Sequence, residues 1–107
     1  MKIIFISVPM ADRTDEDIQK DIEEAKERYA MSHEETGETY CYLDNRTFIL
    51  PDYATRNLNP DLIPLAYLGH ALETMAGCDD VIFAGDWRKA RGCLVERLVY
   101  DLYFPDN

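Results

Sequence analysis

Arg88, Lys89 and Arg91 fall within four positions of one another, Gly92 follows at once, and Glu96 comes four residues after that glycine. In a chain this acidic the turn GDWRKARGC is the densest basic cluster, and its spacing fits two roles. As a phosphate site, Gly92 would let the backbone approach closely and the free N–H groups of a following helix would favour the anion. As a solvated turn, the cations would simply offset neighbouring acids.

Glu96, about one turn into that helix, would be kept ionised by the helix dipole. Facing an electrophilic sugar carbon, such a carboxylate acts as a nucleophile or stabilises an oxocarbenium-like centre. Compensation of the dipole alone is the plainer role. Trp87, the single tryptophan, sits in the turn rather than on an apolar stripe. It either stacks on a base or plugs the edge of the core, and Asp86 beside it joins the candidate binding set.

The elements that must position these groups are legible from periodicity. Residues 2–7 (KIIFIS) form an almost unbroken apolar, Ile-rich run, as a parallel strand buried on both faces requires. Thr14 followed by Asp15, Glu16 and Asp17 predicts a helix start, and Ile18, Ile22, Ala25 and Tyr29 make one narrow apolar stripe along that helix. Residues 39–43 read as a second strand. Residues 44–64, with Pro51, Pro60 and Pro64, are longer than an ordinary connection and read either as a binding lid or as an irregular surface excursion. A second helix opens at Pro64 with Leu65, Leu68, Leu72 and Met75 as its stripe and closes at Gly77, and residues 81–84 are a short buried strand. The last helix carries Val95, Leu98, Val99 and Leu102 on one side. His70 in the second helix is given no catalytic role.

This β-α-β-loop-α-β-α order calls for an α/β fold: one domain over residues 1–107, about three parallel strands, right-handed crossovers and helices on both faces in three layers. Ligands in such sheets bind outside the carboxyl ends of the strands where strand order reverses, so the crevice is expected between the loops after Ser7 and after Ala84.

The formal charge of −10, from 11 Lys plus Arg against 21 Asp plus Glu, disfavours a nucleic-acid polymer or an anionic membrane as partner. It leaves room for a single phosphate in one local basic pocket. Cys41, Cys78 and Cys93 are odd in number with no C-x-x-C pair, and His33 and His70 lie far apart. Neither a disulfide framework nor a metal site is indicated, and no cofactor is expected. With an amino-terminal apolar run too short for a signal-peptide core and no run near the ~20 residues of a spanning helix, a reduced, cytoplasmic protein is expected.

Taken together, FISVPM at residues 5–10, CDDVIFAGDW at 78–87 and ARGCLVE at 90–96 resemble the nucleoside 2-deoxyribosyltransferase-like superfamily, especially its small members from phage and bacterial genomes. The resemblance implies a flavodoxin-like or Rossmann-like fold and, in active members, a glutamate that attacks the anomeric carbon of a deoxynucleoside and releases the base. By motif position that glutamate is Glu96. Ser7, Pro9 and Met10 would line the pocket floor, and Gly92 would flank the sugar or its phosphate. Active relatives also carry an aspartate in the preceding helix; Gly69-His70-Ala71-Leu72-Glu73 has none here, and Glu73 is the candidate in its place. The strand that usually follows the last helix is not found before the sequence ends at YFPDN, so an uncovered sheet edge and a homo-oligomer are expected. Two functions stay open: cleavage or transfer at an N-glycosidic bond through Glu96, and non-catalytic binding of a nucleotide, as in a phage-type sponge or sensor.

Overall fold

The computed structural model describes the chain apart from residues 35–36, 47, 52–56 and 105–107. Strand β1 (Lys2–Ser7) is central in a three-stranded parallel sheet of order β2-β1-β3, with β2 at Tyr40–Leu43 and β3 at Asp80–Phe83. Lys2 to Phe5 pair with Tyr40 to Leu43, and Ile4 to Ser7 pair with Asp80 to Phe83. The chain therefore moves to one side of β1 and then crosses to the other. Right-handed crossovers in opposite directions put the connecting helices on opposite faces.

On one face lies α1 (Asp15–Ser32), started by Thr14, whose hydroxyl accepts from Asp17 N–H at 3.1 Å. Its predicted stripe is buried: Ile18, Ile22 and Ala25 pack with Ile6, Val8 and Ala84. On the other face lie α2 (Ile63–Ala76) and α3 (Arg91–Tyr103), and there Phe5, Val81 and Phe83 pack with Ala71, Met75, Val99 and Tyr100. The result is the expected three-layer, Rossmann-like α/β fold.

Two predicted stripes are corrected by the packing. In α2 the predicted Met75 is buried beside Ala71 and Leu72 packs on the core, but Leu65 is 59% exposed and lines the cavity described below. In α3 the side facing the sheet is Cys93, Glu96 and Tyr100, and the predicted Leu98 and Leu102 are 58% and 70% exposed. The helix is turned so that its polar-looking side faces the sheet and its leucines face outward.

The loops that leave β1 and β3 are tied to each other through α1. Arg13 donates to Pro9 O at 2.9 Å and pairs with Asp21 at 2.6 Å. Asp21 in turn packs against Gly85, which has φ +57 and whose place would bring any Cβ into the Asp21 carboxylate. Gly85 is thus required both by its left-handed backbone and by the close approach. Gly85→Ala is expected to lower stability by roughly 1–3 kcal/mol in urea denaturation, the cost typical of a strained backbone conformation.

Candidate functional site

Where strand order reverses, between the carboxyl ends of β1 and β3, the structure has a cavity of about 620 Å3. That is within the roughly 300–1,000 Å3 usual for small-molecule sites. Ser7, Val8, Pro9 and Met10 form its floor, one wall runs from Lys89 to Cys93 and on to Glu96, and the opposite wall comes from Asn45, Asp61 and the amino-terminal half of α2.

Ser7 and Glu96 are the buried polar side chains among the described residues, 1% and 6% exposed. Ser7 Oγ donates to Glu96 Oε1 at 2.7 Å, joining the end of the central strand to α3. No donor reaches Oε2 among the described residues, where every fully buried side-chain oxygen or nitrogen has a partner, so Oε2 keeps access to the cavity. Burial raises the Glu96 pKa above the usual carboxylate value, and the Ser7 hydrogen bond offsets part of that. The helix dipole, expected to favour the ionised form, is not the larger influence here. Glu96 lies beyond the first turn, where the dipole has faded, and desolvation is the larger effect. Cys93 beside it is a protonated thiol, its pKa pushed up to about 11 by burial, with Ser7 lowering it and the Glu96 charge raising it.

Above the carboxylate the wall is suited to an anion. Ala90, which precedes α3, offers no side-chain cap to the first-turn N–H groups, and a Cβ at Gly92 would meet nothing within 4 Å. Arg91 lines the cavity and forms no ion pair among the described residues. Lys89 also lines it and makes a long 3.8 Å contact to exposed Asp86.

Of the residues singled out from sequence, Ser7, Pro9, Met10, Arg91, Gly92 and Glu96 meet in this cavity. Asp86, Trp87 and Arg88 do not. The short helical turn Trp87–Lys89 sends Trp87 back onto Phe83, with ring centroids 5.2 Å apart, and the Arg88 guanidinium lies 4.7 Å over the Trp87 ring. Trp87 is half-buried at the edge of the core and faces a second cavity. Neither Glu73, exposed on α2, nor His70, stacked on Phe48 at 3.5 Å, lines the Glu96 cavity.

The opposite wall was not foreseen residue by residue. Asn45 Nδ2 donates to Tyr67 O at 3.3 Å and Leu50 N–H donates to the Tyr67 hydroxyl at 3.4 Å, so the described start of the long connection is strapped to α2. Asp61 stands on that wall, its N–H accepted by Asn59 Oδ1. Residues 47 and 52–56 of the suggested lid lie outside the described residues. The only sequence signal for this wall was the length of the connection.

Comparison with known protein families, with curated proteins and with solved structures finds no match for the chain. Among the described residues no helix is long and apolar enough to cross a membrane.

The raised Glu96 pKa fixes the sign of a pH effect. A carboxyl whose folded pKa lies above its unfolded value of about 4.3 contributes stability that is fully present below that value and is lost as pH rises through the folded pKa. Glu96→Gln should remove this loss, leaving a flatter profile of denaturation free energy against pH. Ser7→Ala, by deleting the donor that favours the ionised form, should move the titration of Glu96 further upward in carbon-13 NMR.

Proposed function

We propose that this cavity binds a nucleoside or nucleoside monophosphate and that Glu96 attacks the anomeric carbon of the sugar, displacing the base. The observation that carries the reading is a buried carboxylate with one oxygen held by Ser7 and the other open to a cavity of small-molecule size. An ionised carboxylate that burial disfavours gains when it forms a bond to carbon, because its charge is neutralised as the oxocarbenium-like centre collapses. The C–N bond breaks with its electron pair leaving on the base, a C–O bond forms to Glu96, and water or a second base then displaces the carboxylate. The departing base takes its proton from solvent. The likeness of residues 5–10, 78–87 and 90–96 to the nucleoside 2-deoxyribosyltransferase-like superfamily supports the same chemistry.

Arg91, Lys89, Gly92 and the uncapped start of α3 give the anion of a monophosphate a place beside the sugar. A second reading, non-catalytic binding of a nucleotide, is favoured by one specific observation: Glu73 lies outside the cavity, so the preceding helix brings it no acid. The net charge of −10 fits a small ligand rather than a polymer, and the free thiols of Cys41, Cys78 and Cys93 fit a reducing cytoplasm.

We also infer that the protein is a homo-oligomer. Leu94, Val95, Leu98 and Leu102 form an exposed apolar stripe on α3, and exposed Leu62 and Leu65 stand across the cavity mouth. A second copy covering this stripe would remove its apolar surface from water and would close the site from outside.

Chromatography after incubation with deoxynucleosides and their monophosphates is expected to detect free base, released faster from the monophosphates. Glu96→Ala should reduce release by orders of magnitude, and Arg91→Ala should erase the preference for phosphate. A bound nucleotide recovered intact, with no base from any compound, would establish the binding reading instead. Light scattering should give the mass of a dimer or larger assembly, and Leu98→Asp with Leu102→Asp should give a monomer. A monomeric wild type at every concentration would remove the oligomer.

A further inference from the structure

A second cavity, of about 610 Å3, lies along the outer edge of β3, away from Ser7 and Glu96. Among the described residues β3 pairs with β1 alone, so its other edge carries backbone groups that belong to no ladder. Unpaired edges are usually blunted. Here the blunting covers one end. The Asp80 carboxylate accepts from the hydroxyls of Tyr29 on α1 at 2.8 Å and Tyr100 on α3 at 2.9 Å, so helices from both faces close over the amino end of the strand. Val81 N–H donates to the same carboxylate at 2.8 Å, and from there to Phe83 the strand lines the cavity with its remaining edge groups.

Two arginines from opposite faces of the sheet flank this stretch. Arg28 of α1 donates to Phe83 O at a long 3.4 Å and forms no ion pair among the described residues, in a chain with 21 acidic residues. Arg97 of α3 lies 5.4 Å over the Phe83 ring and 5.6 Å over those of Trp87 and Tyr100, pairing with Asp101 at 3.2 Å through Nε. The groove thus offers a strand edge, an aromatic floor and two guanidinium groups.

We propose that this edge receives a short extended segment of a partner protein, added beside β3, with an acidic side chain on the α1 face seated against Arg28, which forms no ion pair among the described residues. Strand addition takes its affinity from main-chain hydrogen bonds and its specificity from alternate side chains. Complementary charge identifies the occupant: the Arg28 guanidinium calls for a carboxylate, and Asp80 at the closed end repels a second one there. With Val81 N–H held by Asp80 and Phe83 O contacted by Arg28, only a few main-chain groups are left for the segment, which makes binding weak and salt-sensitive.

Trp87 is the single tryptophan and lines this groove, so its fluorescence reports occupancy directly. The probe is a blocked five-residue peptide with one central glutamate flanked by valine and threonine. Titration of the full chain should give a saturable change in emission. At least tenfold weaker binding is expected for the same peptide with glutamine, for a version N-methylated at alternate backbone nitrogens, and for Arg28→Gln protein. Glu96→Gln should leave the titration unchanged. No saturation at millimolar peptide, equal binding of the glutamine peptide, or indifference to N-methylation would overturn the proposal. Self-association that Arg28→Gln abolishes would also overturn it, assigning the edge to a second copy. The glutamate and glutamine peptides compared on wild-type protein decide the matter even if the variant does not fold.

Discussion

A carboxylate taken out of water must be compensated, and the place of Glu96 sets much of the rest. Its partner is the hydroxyl at the end of the central strand, 2.7 Å away. For that hydrogen bond to form, α3 must start immediately beside β1 and turn one particular side toward the sheet. One donor is fewer than a buried carboxylate can accept. The group therefore stays inside the fold without being fully satisfied by it, and this is the condition in which a carboxylate can be both held in place and reactive.

The rotation of α3 follows. Residues 93, 96 and 100 lie three and four apart, as do 95, 98 and 102, so the helix has two sides and only one can face the sheet. Packing of Tyr100 on Phe83, together with the Tyr100 hydroxyl on Asp80, fixes the first. The leucines are left outside, where covering them would be favourable. Burial and Asp80 also push the Tyr100 pKa up to about 12, so it remains a donor at any ordinary pH.

The two loops at the crevice are joined through α1. Asp21 touches both, through Arg13 to the carbonyl of Pro9 and by contact with Gly85. The neighbouring Asp12 has φ 59, which marks how sharply the first loop turns before α1. At the other end of the sheet the Asp79 carboxylate accepts from Ile3 N–H at 2.8 Å while Asp79 N–H donates to Ile3 O at 2.7 Å. The consecutive acids Asp79 and Asp80 thus hold the fold, one registering β3 against β1 and the other closing the edge.

The sequence by itself determined the order of elements, the central place of β1, the cap at Thr14, the inward stripe of α1 and the crevice between the loops that follow Ser7 and Ala84. These follow from local periodicity, capping chemistry and the handedness of crossovers, which act within a few residues or apply to every parallel sheet. Tertiary structure alone decided which side of α3 is buried, that Trp87 turns away from Glu96, and that Asn45 and Asp61 complete the opposite wall. Hydrophobicity points to Leu98 and Leu102 as the inward side, but a helix packs where its neighbours can satisfy it. Ser7 can satisfy Glu96 only if both are drawn inside, and no pattern confined to one segment records that a hydroxyl 89 residues away will be there to meet it.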